Sequence, residues 1–454
     1  MDAESHGVAP VLRRFGRLLA AIAALALAGC VSRPLTSPPG IACGPLLPLH
    51  EPIDPTSPTP AMSLIDDIVA VKRAAAPGQP ITVSMLVMSG GGKYGAFGAG
   101  FLAGWSQAER EERLVPIRRE EIDIVTGIST GALLASYAAV GNLGPGQGGS
   151  DEMRRAADED AKLAYQVSDQ DLFRKQGIIA AVTSNGLADP SGLLATRVGQ
   201  MAAKYRPLVA ALPADHKVLI GAANLTNGKF YVADLREVAQ QGDAANACYA
   251  EWLLASAAVP AQFPPRYIDG YGYVDGGVRF GAFLGDGVQR VVRRTRTSGD
   301  ALENAQVRVN LIALFNNPLT ANNPARDPAA ALACDRSTLA DAHQLCPERG
   351  NSLLDIVTRS AGDIMTHQLF LDSVYRLQRE LEAAGVLGLS KFIYAPPERI
   401  AAKGCRATTD DAFDRGYMDC LYGLGVETAL DPARWQNFDS VPRNPRALPR
   451  DGGD

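Results

Sequence analysis

A layered α/β/α domain with a mostly parallel central sheet is the fold class that the sequence predicts, and three observations predict it. Segments 81–88, 122–126, 217–222, 230–233 and 307–315 are short apolar stretches, several of them continuous, as expected of strands covered on both faces. Helix-like segments alternate with them. Two of these, 94–106 and 129–140, follow strand candidates directly, as in parallel βαβ units.

The N-terminal 29 residues read as an address rather than as fold. Arg13, Arg14 and Arg17 precede the apolar run 18–28, which is too short and wrongly flanked to span a membrane and fits a signal peptide. Leu27-Ala28-Gly29-Cys30 is similar to a bacterial lipobox, in which the cysteine is lipidated and becomes the first residue of the mature protein. Val31 stands where an inner-membrane retention signal would resemble aspartate, so the expectation is a bacterial envelope protein held at the outer membrane by acyl chains on Cys30, with no spanning helix. Residues 30–61 then form a tether, with nine prolines between Val31 and Pro60.

Cysteine usage agrees with export. Of seven cysteines, six remain after Cys30, an even number that an oxidising compartment allows to pair, with many connectivities open. Cys334 with Cys346 and Cys405 with Cys420 are close in sequence and would each staple a polar loop; Cys43 with Cys248 follows only by elimination. No pair has CxxC spacing, so no metal site is expected. The net charge is −5, and loss of residues 1–29, with three arginines against Asp2 and Glu4, makes it −6. A mildly acidic chain with no basic tract argues against nucleic acid as a partner.

Residues 62–430 are assigned to one catalytic domain and 431–454 to a C-terminal tail. Within the domain, 351–384 is the longest helical stretch, with Leu353, Ile356, Val357 and Ile364 on one core-covering face. The glycine-rich segment 141–150 reads as a mobile loop, and Arg290, Arg293, Arg294 and Arg296 as a solvated helix face.

Chemistry enters at Gly127-Ile128-Ser129-Thr130-Gly131. A serine between a strand and a helix, with a glycine two residues to either side, fits a sharp turn that holds a nucleophile exposed. Acyl transfer through serine also needs a base and donors for the oxyanion of the tetrahedral intermediate. Ser89-Gly90-Gly91-Gly92-Lys93-Tyr94-Gly95 offers such donors, since consecutive glycines let N–H groups of Gly90, Gly91 and Gly92 converge at a helix N-terminus. The same run satisfies GxGxxG, but the strand that should end in an acidic residue ends in Thr126, and no Gly-Lys-Ser/Thr follows; neither a dinucleotide site nor a P-loop is expected.

An α/β-hydrolase would place an acid and then a histidine after the serine. His216, His343 and His367 follow Ser129, the second inside an expected stapled loop and the third inside the long helix, neither of them a catalytic setting. Tyr273-Val274-Asp275-Gly276-Gly277 provides another base: an aspartate at a strand end, with glycines that permit close approach, can reach the serine without an imidazole between them.

The three motifs, in this order, resemble those of the patatin-like phospholipase family: a glycine-rich oxyanion loop closed by Gly95, the GxSxG of Ser129, and the Asp-Gly-Gly of Asp275. Residues 223–228 (Ala-Asn-Leu-Thr-Asn-Gly) and 255–260 (Ala-Ser-Ala-Ala-Val-Pro) look similar too, and the likeness spans about 83–278. The resemblance implies a three-layer α/β/α patatin-like domain, a Ser129–Asp275 dyad without metal or cofactor, and phospholipid or lysophospholipid as substrate. One departure is Tyr94, where many members carry a basic residue; Lys93 stands one position earlier. The expectation is a lipid-anchored acyl-ester hydrolase. A His-dependent esterase and a catalytically silent envelope lipoprotein of the same fold are the alternatives.

Overall fold

The computed structural model describes residues 41–43, 47–49, 60–175, 188–189, 193–260, 262–283, 307–319, 365–384, 386–409 and 413–440. Cys30 and the lipobox, Cys334, Cys346, His343, the arginine cluster at 290–296 and the named face at 353–364 lie outside the described residues.

Strands are numbered in chain order as β1 (Leu47–Leu49), β2 (Ile81–Met88), β3 (Ile124–Ile128), β4 (Arg174–Lys175), β5 (Ala188–Asp189), β6 (Lys217–Asn224), β7 (Phe230–Asp234), β8 (Arg266–Ile268), β9 (Tyr271–Asp275), β10 (Val307–Phe315), β11 (Lys391–Tyr394) and β12 (Gln436–Asn437). β4 and β5 pair with each other, and the other ten form one sheet in the order β1-β7-β6-β3-β2-β10-β11-β12, with β9 joined to β6 and β8 to β9. β6, β3, β2, β10 and β11 are parallel. β1, β7, β8, β9 and β12 add antiparallel edges.

The longer helices are α1 (Pro60–Ala75), α2 (Gly95–Arg110), α3 (Thr130–Gly141), α4 (Asp151–Ala164), α5 (Leu193–Ala210), α6 (Ala245–Ser256), α7 (Thr366–Ala384) and α8 (Arg415–Leu430). They lie on both faces of the sheet, giving the three layers. Side chains of a strand alternate in direction, and β2 shows the result. Its Val83, Met85 and Val87 enter a core with Ile68 of α1 and Phe370, Val374, Leu377 and Leu381 of α7. Leu86 and Met88 enter the opposite core, built with α2 to α6 and α8. The sheet is therefore buried on both sides, which is why its central strands are apolar at successive positions.

α2 and α8 pack at backbone contact. A Cβ on Gly100 would lie 2.0 Å from the Tyr422 carbonyl oxygen, and one on Gly425 would lie 2.1 Å from that of Phe97. Gly100→Ala is therefore expected to lower stability by about 3 kcal/mol. A chemical denaturation midpoint equal to that of the parent would show that the helices do not approach so closely.

Three expectations are corrected. Within the tether assigned to 30–61, residues 41–43 and 47–49 join the fold. Ile41 bridges Ile268, Cys43 is disulfide-bonded to Cys248, and β1 extends the sheet edge beside β7. The tail assigned to 431–454 is also fold up to residue 440, because β12 pairs with β11 while Trp435 and Phe438 are buried. The segment 141–150 is a packed turn: Gly149 N–H donates to the Gly144 carbonyl, and Asn142 and Leu143 are buried. Cys405 pairs with Cys420 as their spacing suggested.

Candidate active site

Ser129 stands where β3 gives way to α3, with φ 54° and ψ −121°, a backbone conformation rarely taken by residues other than glycine. The flanking glycines are required by contact. A Cβ on Gly127 would lie 2.3 Å from the Gly131 carbonyl oxygen, and one on Gly131 would lie 2.5 Å from that of Met88. The sharp turn thus leaves no room for any side chain two residues to either side of the serine.

The sheet brings Asp275 to this turn through register. On the β3 side of β6, Ile128 is the last residue of β3 and pairs with Gly221. The next residue of β6, Ala222, pairs with Asp275, the last residue of antiparallel β9. β9 thus takes the place beside β6 that β3 vacates at the turn, and the two strand ends meet. The Ser129 hydroxyl stands beside the buried Asp275 carboxylate and favours its ionised form. Burial pushes that carboxyl up to about 6, against the opposing effects of the Ser129 hydroxyl and the Gly277 N–H. Gly277 N–H donates to Asp275 Oδ1 at 2.7 Å. Gly276 is needed because a Cβ there would lie 2.6 Å from the Gly221 carbonyl oxygen.

The glycine-rich loop leaves β2 and lies against the same turn. A Cβ on Gly90 would be 3.2 Å from Cβ of Ser129. Gly91 and Gly92 have φ of 147° and 53°, and among the described residues their N–H groups meet no acceptor. Gly90 departs from the expected donor set: its N–H donates to the Gly281 carbonyl at 3.1 Å, and the Gly281 N–H in turn donates to Ser373 Oγ of α7. The available donors are therefore Gly91 and Gly92.

Asn316 and Tyr165, outside the three motifs, and Thr130, inside the Ser129 motif, clamp the loop. Asn316, just past β10, donates through Nδ2 to the Ser89 carbonyl at 2.6 Å, and its N–H donates to Ser89 Oγ at 2.9 Å. Thr130 Oγ1 donates to the Gly92 carbonyl and also bonds the Tyr165 hydroxyl. Gly95 sits under that pair, where a Cβ would collide with both side chains. None of these clamps carries a signal in the local sequence.

At the departure from the family pattern, the Lys93 ammonium lies 5.8 Å from the Tyr94 ring centre and 5.3 Å from that of Tyr417. His367 lies on α7 three residues before Phe370, whose ring edge adjoins Gly90. His216 lies before β6, at the sheet edge opposite Ser129. There Asp123, Asp215 and His216 bring ligand-type atoms within 4.8 Å of one another, the one such cluster among the described residues. Lys72 Nζ, 2.6 Å from Asp123 Oδ1, already supplies a positive charge at that point. No helix of the described residues is long and apolar enough to cross a membrane.

Comparison with curated proteins gave no match. Among solved structures, the chain is similar to VipD from Legionella pneumophila at 12% identity and a TM-score of 0.34, over 77% of this chain and 66% of that one. The chain thus spans slightly less than two thirds of that protein's length, and so distant a likeness carries no argument about the site. Residues 86–284 match the family profile of patatin-like phospholipases. That span holds the glycine-rich loop, the Ser129 turn and the Asp275 strand end. Over residues 86–284, the chain is similar to patatin-like phospholipases.

Proposed function

We propose that the protein is a lipid acyl-ester hydrolase in which Ser129 is the nucleophile and Asp275 the general base. The observation that carries this reading is the register that brings the Ser129 turn to the strand end of Asp275, a buried carboxylate with a pKa raised to about 6. Such a group is ionised at neutral pH yet more basic than an ordinary aspartate near 3.9.

In the proposed reaction Ser129 Oγ bonds to the ester carbonyl carbon while its proton passes to Asp275. The N–H groups of Gly91 and Gly92 hold the resulting oxyanion. Collapse breaks the bond to the leaving alcohol, which takes the proton from Asp275 and leaves an acyl-enzyme. Water then gives its proton to Asp275 and attacks the acyl carbon, and collapse breaks the bond to Ser129 Oγ, which takes that proton back from Asp275 as the carboxylic acid leaves. The chemistry calls for no metal or cofactor. Phospholipid or lysophospholipid is the proposed substrate class, supported by the family match over residues 86–284. The proposed location is the bacterial outer membrane, through acyl chains on Cys30.

The test is covalent labelling with a fluorophosphonate, which traps an activated serine as a tetrahedral adduct. The purified protein should be labelled at Ser129, and Ser129→Ala should abolish both labelling and phospholipid hydrolysis. Equal labelling of the variant would defeat the assignment.

A further inference from the structure

Ser256 is fully buried in the last turn of α6, outside the three motifs and 127 residues from Ser129. Its hydroxyl accepts the Ser129 N–H at 3.0 Å and donates to the Gly221 carbonyl at 2.7 Å. The positive φ of Ser129 sets the direction of that N–H, so the turn needs an acceptor there. Gly221 is the β6 residue paired with Ile128 and pressed by Gly276, the neighbour of Asp275. Two residues after Ser256, the Ala258 carbonyl accepts the Asp275 N–H at 2.9 Å. One short segment therefore touches the backbone of both members of the pair and the strand between them.

We infer that Ser256 is a positioning residue for the Ser129–Asp275 pair. Its hydroxyl fixes the Ser129 backbone against β6 so that the Ser129 hydroxyl meets the carboxylate. The site needs a group that accepts and donates at once within a fully buried volume. A hydroxyl does this, whereas alanine would leave the Ser129 N–H and the Gly221 carbonyl without their side-chain partner. A small displacement matters because transfer of the serine proton depends on alignment, and a misplacement of about 1 Å can lower a rate about 10²-fold.

The inference rests on the function proposed above and is tested with the full chain. Ser256→Ala, Ser256→Thr and Ser256→Cys are compared with the parent in steady-state hydrolysis of a p-nitrophenyl ester across pH and in the rate of fluorophosphonate labelling. Ser256→Ala is expected to lower kcat and the labelling rate about 10²-fold, with KM changed by no more than about twofold. The acid limb of its pH profile should move to higher pH, because the Ser129 hydroxyl that favours the ionised carboxylate is no longer aligned. Among the described residues, burial, that hydroxyl and the Gly277 N–H are the influences on Asp275, and no charged side chain enters. A merely structural role would leave the limb in place. Ser256→Thr, which keeps the hydroxyl, should return the limb to the parental position.

Folded Ser256→Ala with the parental labelling rate and acid limb overturns the inference. Where Ser256→Ala does not fold, Ser256→Cys decides: its thiol is near in size but a weak hydrogen-bonding group, and parental kcat and acid limb would again overturn it. Failure of the parent to label at Ser129 would instead bring down the proposed function, and this inference with it.

Discussion

Asp275→Asn is expected to lower kcat about 10²–10⁴-fold and, in the same molecule, to raise stability at neutral pH. The two effects share one cause. The native carboxyl keeps its proton up to about pH 6, whereas in the unfolded chain it ionises near the reference value of about 3.9. The stability that the protonated group contributes is fully present below about pH 3.9 and is lost as pH rises through about 6. Above that window the native state carries a buried charge that the unfolded state holds in water. A shift of about two units corresponds to roughly 3 kcal/mol, an upper figure that the neutral amide would recover. Thermal melting at two pH values checks this, since the gain in Tm should be large near pH 8 and should vanish near pH 4. Parental activity in the variant would exclude Asp275 as the base, and a Tm gain independent of pH would exclude the charge as its cause. In the parent, the same ionisation should appear as an acid limb near pH 6 in kcat/KM.

Gly91→Ala should lower kcat about 10²–10³-fold, the size of losing one oxyanion donor. Gly91 has φ 147°, which an alanine resists, and a Cβ would lie 3.2 Å from Cβ of Asn316. Relief of the backbone would turn the N–H away from the position it shares with that of Gly92. The damage should be confined to the transition state, so KM for a soluble ester should change little while kcat falls. If kcat is retained, the donors lie elsewhere. Asn316 is part of the same clamp, and its hydrogen bonds to Ser89 explain how a loop of three consecutive glycines keeps one shape.

The central strands were legible because both of their faces are covered, and burial on two sides writes an apolar residue at nearly every position. β2 and β10 occupy the expected spans, and β3 is displaced by two residues because Gly127 and Ile128 continue it to the edge of the turn. Ser129 and Asp275 were legible for a different reason: each sits at a strand end where close contact excludes side chains, and the excluded side chains leave glycines in the sequence. β11 and β12 were not legible, since four and two residues are too few to show a period. Nor was the occupancy of the Gly90 N–H. Its acceptor, Gly281, lies almost 200 residues away, and only the tertiary fold decides which of three equivalent glycines is already bonded. Ser256 belongs to the same class. It stands in a stretch similar to the family's, but its partners belong to a strand and a turn far along the chain.

The disulfide between Cys43 and Cys248 determines how a mechanical pull would travel through the molecule. Tension applied between the two chain ends enters at Cys43 and crosses the covalent bond to α6, 205 positions further along, without passing through the chain between. The bypassed stretch contains β2, β3 and β6, the glycine-rich loop and Ser129. With the bond intact, these elements lie off the line of force, and stretching cannot peel them from the sheet by drawing on the N-terminal end. Reduction would reroute the load through β1 and α1 into β2, the strand that leads directly into the glycine-rich loop.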